Sequence, residues 1–190
     1  MTQPEKPERS AQRSRISTST LLICAAIGVG TGALQAGAGA LGGVVSAAVP
    51  LMYGLVLGIH VLPGVIAQEL LRRPWVALLT HLIAALVGAA FVPVWIPRYI
   101  GTALLIGGLQ EGIAALGRYR RWEPWRFFVS AIVVGAVIAA LIWFAADVSR
   151  FPLWGQIVYV AMFLLGPVVW TAVGLGIGAA LRRAGVARRT

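Results

Sequence analysis

The stretch YIGTALLIGGLQEGIAALG, Tyr99–Gly117, decides the class of the fold. It is long and apolar enough to cross a bilayer, for which about 20 apolar residues suffice. Yet it carries Glu111, the only one of the six carboxylates that lies deep inside such a run. A charge at that depth costs roughly 2.5–3.5 kcal/mol on insertion scales, so it calls for a cation, a polar partner or a water-filled cavity. One helical turn to either side stand Gly107, Gly108, Ala114 and Ala115, all small, and this face leaves room for a second helix or a ligand.

The rest of the chain repeats the pattern. Mean hydropathy is +0.85, 59% of residues are hydrophobic and 12% are charged. Apolar runs fall at roughly 19–40, 47–70, 75–96, 99–117, 127–147 and 154–181. This predicts an all-α integral membrane protein, a bundle of six transmembrane helices forming one domain over residues 19–184. Residues 1–18 read as a disordered cytoplasmic tail, being polar and rich in Pro, Ser and Arg with no apolar period, and 185–190 as a short basic cytoplasmic tail. The first apolar run continues through glycines as a full span with more spans behind it, so it is not a cleavable signal peptide.

The net charge of +10 does not point to nucleic acid, because the basic residues sit in short clusters between spans. Lys6, Arg9, Arg13 and Arg15, then Arg72 and Arg73, then Arg118, Arg120, Arg121 and Arg126, then Arg182, Arg183, Arg188 and Arg189 all fall on one side of a six-span chain. Only Arg98 and Arg150 fall on the other. The positive-inside rule then places both termini in the cytoplasm of a bacterial plasma membrane.

Depth sorts the remaining polar residues. At about 1.5 Å of rise per residue, Glu111 lies about 10 Å above Arg118 and His81 about 12 Å above Arg73, so the two are within reach of pairing. His60 and Trp170 come at about 18 Å, while Gln35, Trp95, Tyr99, Trp143 and Tyr159 lie nearer the outer face. Flat rings with Gln and His above an isolated carboxylate suit an aromatic or cationic small molecule. The candidate ligand site is therefore Glu111, Gln110, His81, His60, Trp95, Tyr99, Trp143 and Trp170; the plainer alternatives are a Glu111–His81 pair and an interfacial belt of tryptophans. Pro50, Pro63 and Pro167 fall inside predicted spans and are expected to kink or unwind them, Pro63-Gly64 most of all because it follows His60.

In the first span small residues recur four apart: Ala26 and Gly30, Gly28 and Gly32, Ala33 and Gly37. Such spacing lets helix backbones approach closely in lipid, either within the chain or against a separate subunit. Ala26, Gly28, Gly30, Gly32 and Ala33 are the candidate docking face. Glu69 beside Arg72 and Arg73, and Asp147 near Arg150, read as interfacial ion pairs.

Signs of catalysis are missing. The sequence has no H-E-x-x-H, G-x-S-x-G, P-loop or dinucleotide fingerprint, and its two histidines have no carboxylates at metal-ligand spacing. Cys24 stands alone. No metal, cofactor or nucleic-acid partner is expected, and an enzyme is not the first reading.

Tyr53-Gly54, then Arg72-Arg73-Pro74 heading a span that contains Ile83-Ala84-Ala85-Leu86-Val87, then Glu111 seven residues before Arg118-Tyr119-Arg120-Arg121-Trp122, together resemble the substrate-binding S components of energy-coupling factor (ECF) vitamin transporters. The YkoE type, associated with thiamine and its hydroxymethylpyrimidine precursor, is most similar, over roughly residues 45–185. In that family glutamates flank the Ile83–Val87 element; here His81 and Gly88 hold those places, which leaves Glu111 as the one buried anion for a thiazolium cation. The resemblance implies a six-helix protein that captures a vitamin from outside. It would dock through its first helix onto a transmembrane coupling (T) subunit driven by two cytoplasmic ATPases. The alternatives are a membrane scaffold in which Glu111 and His81 merely hold helices together, and a small lipid-acting enzyme using His and Glu as acid and base.

Overall fold

The computed structural model describes residues 16–187, and among these it contains helices and no strand. Most of the expected 1–18 tail and the last residues of the 185–190 tail lie outside the described part. Six helices form the bundle: α1 (Thr18–Ala48), α2 (Pro50–Leu71), α3 (Val76–Phe91), α4 (Ile96–Leu116), α5 (Pro124–Ala145) and α6 (Leu153–Arg183). Five are long and apolar enough to span a membrane and α3 is a shorter apolar helix. The protein is a multi-pass membrane protein.

The element limits follow local chemistry. Ser17 caps α1 by accepting from the Thr20 amide at 3.2 Å, and Pro50 separates α1 from α2 rather than kinking a span, since its ring fits the first turn of a helix. α1 extends well past the expected residue 40, and α3 stops at Phe91 rather than near 96. With 16 residues, α3 is about 24 Å long, short of the ~30 Å hydrocarbon core.

α3 packs between α1 and α4, while α6 packs along α2 and α5. Glycines set two of these contacts. A Cβ at Gly28 would stand 2.7 Å from Ile83 and one at Gly32 2.6 Å from the Ala84 carbonyl, so these two residues seat α3 on α1. Gly54 and Gly58 likewise lie against the backbone of Phe163–Pro167, which lets α2 and α6 cross in close contact. Pro167 sits inside α6 without breaking it.

The disturbance expected at Pro63 appears one turn earlier. α2 tightens to a 3-10 helix over Gly58–Val61 before resuming at Leu62. Carbonyls along this irregular piece are served by side chains: Leu55 by Trp170 Nε1 at 3.0 Å, Leu57 by His60 Nδ1 at 3.0 Å, and Val61 by Gln110 Nε2 at 3.1 Å. Non-helical backbone within a membrane persists only where such partners exist.

Candidate functional site

Glu111 and Gln110 project from α4 towards α3, and the structure gives each a protein partner. The Glu111 carboxylate accepts from the Ala77 amide at 2.8 Å and the Trp75 amide at 3.0 Å, the first amides of α3, which no intrahelical carbonyl serves. It caps that helix from a neighbouring one and lies at the positive end of its dipole, a favourable place for an anion. Backbone amides take the place of the cation or His81 pair expected beside Glu111, because α3 begins where the carboxylate lies. Tyr119 joins the same cluster. Burial first, then the Glu111 charge and a hydrogen bond to it, hold the Tyr119 hydroxyl above its ordinary value.

His81 pairs instead with Gln110. Gln110 Nε2 donates to the Val61 carbonyl, which fixes the amide so that Oε1 faces His81 Nε2 at 2.8 Å. Gly64 leaves the space in which this amide lies. The Gln68 amide donates to the Gln110 carbonyl at 3.4 Å and extends this buried network.

Above this network opens a cavity of about 790 Å³. Its walls are α1 from Ala38 to Ser46, α2 from Pro50 to His60, Trp95 with α4 from Arg98 to Ile106, the end of α5 with the segment up to Phe151, and Tyr159 of α6. It lies at the end opposite Arg72–Arg73 and Arg118–Arg121, and it is lined mostly by apolar and aromatic groups, a composition and size typical of small-molecule sites. His60, Trp95 and Tyr99 of the expected set line it. Glu111, Gln110, His81, Trp143 and Trp170 do not. Trp143 packs edge-on to Tyr159 with ring centroids 5.8 Å apart, and Trp170 is tied to the Leu55 carbonyl.

Tyr53 and Arg98 also line the cavity, although neither belongs to the expected site. Tyr53 stands edge-on to Phe163 and accepts from Arg98 Nη2 at 3.0 Å, while the Arg98 guanidinium lies 5.0 Å over the Trp95 ring. The signal was present: Trp95, Arg98 and Tyr99 share one helical face by spacing, and Arg98 is one of only two outer arginines.

The five candidate docking residues also divide. Gly28 and Gly32 are buried against α3, which corrects their assignment to an outer face. Ala26, Gly30 and Ala33 are exposed, and a Cβ at Gly30 would meet nothing within 4 Å.

In overall structure the chain is similar to a solved protein described as an S-component of ECF transporter. The TM-score is 0.81 at 18% identity, covering 91% of this chain and 89% of that one. No curated protein sequence matches. Residues 19–137, well over half of the chain, match the model of a transporter family, and the chain therefore belongs to the ABC-type cobalt transport system, permease component family.

Proposed function

We propose that this protein is the substrate-binding S component of an ECF-type ABC importer, which captures a small aromatic vitamin or vitamin precursor from outside, thiamine or hydroxymethylpyrimidine being the compounds in view. The observation that carries this reading is the aromatic cavity opening at the arginine-poor end of an S-component-like bundle. Its volume suits a ring system of one or two cycles. A divalent metal as cargo fits the cavity poorly: His60 is the one imidazole, no carboxylate lines the walls, and among the described residues no group of three His, Cys, Asp or Glu is placed to hold an ion.

Uptake would require partners, a transmembrane coupling subunit and two cytoplasmic ATPases, because the chain carries no nucleotide loop. The exposed stripe of Ala26, Gly30 and Ala33 is the surface that would meet the coupling subunit, since small residues allow a partner helix to approach closely. Equilibrium binding of a panel of labelled vitamins and precursors to detergent-purified protein tests the reading. Saturable binding that weakens in Trp95→Ala supports it, and a panel without any binder overturns it.

A further inference from the structure

We propose that the cavity takes an uncharged heteroaromatic ring, with a hydrogen-bond-accepting ring atom turned to the Gln35 amide at its floor, and that it discriminates against rings bearing a permanent positive charge. This rests on reading the cavity as the ligand site.

The floor carries the first half of the argument. Gln35 projects inward from α1, is only 5% exposed, and its Nε2 has no hydrogen-bond partner among the described residues. Buried donors are almost always paired, so this one marks a place where an acceptor belongs. Gln35 borders a void of about 10 Å³ together with His60, His81, Tyr99 and Thr102. His60, Tyr99 and Thr102 line the large cavity as well, so the void adjoins it across these three side chains. That space holds no more than one water-sized group. A ring would therefore stay above it and present one edge, directly or through a single water.

His60 defines what lies beside that acceptor. Its Nδ1 faces the Leu57 carbonyl at 3.0 Å, and since a carbonyl only accepts, the proton sits on Nδ1 and leaves Nε2 as an acceptor. A donor on Gln35 next to an acceptor on His60 complements a ring nitrogen next to an exocyclic amino group, as on an aminopyrimidine.

Charge carries the second half. Arg98 is the one fully charged side chain lining the cavity. Every described carboxylate is engaged elsewhere: Glu69 with Arg182, Glu111 with the α3 amides, Glu123 with Arg126 at 3.0 Å and Asp147 with Arg150 at 2.5 Å. Asp147 stands between the lining residues Ala146 and Val148 but does not line the cavity itself and is paired with Arg150 at the surface. A cationic ring would thus meet Arg98 with no counter-ion, and the Trp95 face that would attract it is already covered by that guanidinium.

The test uses the full chain in detergent and a matched pair of probes, 4-amino-5-hydroxymethyl-2-methylpyrimidine and thiamine, which bears the same aminopyrimidine joined to a thiazolium. The neutral pyrimidine is expected to bind at least about tenfold more tightly than thiamine. Arg98→Glu should raise the affinity for thiamine relative to that for the pyrimidine by about tenfold, which a mere size limit would not do. Gln35→Leu should weaken the pyrimidine by about tenfold while Tm holds or rises, because the empty protein loses no hydrogen bond. Thiamine binding as tightly as the pyrimidine in the unaltered protein overturns the charge rule, and leaves the cavity as ligand site if Trp95→Ala weakens that binding. Undiminished pyrimidine affinity in Gln35→Leu, or a lowered Tm with it, overturns the floor contact. Binding of neither probe overturns this proposal, while the vitamin panel decides separately whether the cavity binds a ligand at all.

Discussion

At the arginine-rich end of the bundle Glu111 accepts from two backbone amides, Gln110 bonds His81 and Val61, and Gln68 bonds the Gln110 carbonyl. At the other end Gln35 is just as deeply buried, yet among the described residues its amide nitrogen has no partner, and it borders a small void next to the large cavity. Both regions hold polar groups of the kind that membrane interiors penalise. The difference teaches that depth alone does not mark a ligand site. What separates the two is whether the protein's own backbone consumes the hydrogen bonds; where it does, the group holds the fold, and where it does not, the group keeps a bond to give.

The largest effect should come from Glu111→Ala, which strips two buried amides of their acceptor. We expect a loss of about 2–4 kcal/mol in stability, read as a fall in Tm of several degrees in detergent, with ligand affinity of the surviving folded protein within about twofold. A tenfold loss of affinity at unchanged Tm would reverse the contrast between the two ends.

Gly28→Leu and Gly30→Leu sharpen it on a single helix. The first drives a side chain into Ile83 on α3, and overpacking of this sort costs about 1–3 kcal/mol. The second points into open space and should leave Tm and ligand binding intact while blocking uptake in cells, if that face receives the coupling subunit. Equal damage to binding by both variants would show that the outer face packs internally.

Trp95→Ala removes a half-exposed ring from the cavity mouth together with its contact to Arg98. Lost stacking is worth about 1–2 kcal/mol, so titration should show affinity down by about tenfold with Tm nearly unchanged. Smallest in effect on the protein itself are reporter fusions. Those placed after Arg73, Arg121 and Arg183 should read as cytoplasmic, and those near Pro97 and Ser149 as external; a cytoplasmic signal at Pro97 would put the cavity on the wrong side of the membrane.

Three residues of the expected set were legible as neighbours, because ring residues at helical spacing announce a shared face: Trp95 and Tyr99 line the cavity, and so does His60. Trp143 and Trp170 were indistinguishable from them by residue type and depth. Their rings turn into helix contacts because of how α5 and α6 are rotated, which no single span encodes. Glu111 drew notice for a sound reason, its cost in lipid, but its partners are amides 34 and 36 residues away, and a backbone amide leaves no trace in a sequence.

The sequence by itself determined the solvent, the number of helices and the sorting of arginines to one end, since each depends on hydropathy and charge summed along local stretches of chain. The short α3 was only half visible, as an apolar run whose true end at Phe91 depended on where the helix could stop. Only the tertiary structure decided which of two glycine faces on α1 is buried, that a carboxylate caps α3, and that a glutamine amide is left over. These are properties of helix rotation and register. A change of one residue in either, about 100° around the axis, would exchange Gly28 for Val29 at the contact and alter every partner described here.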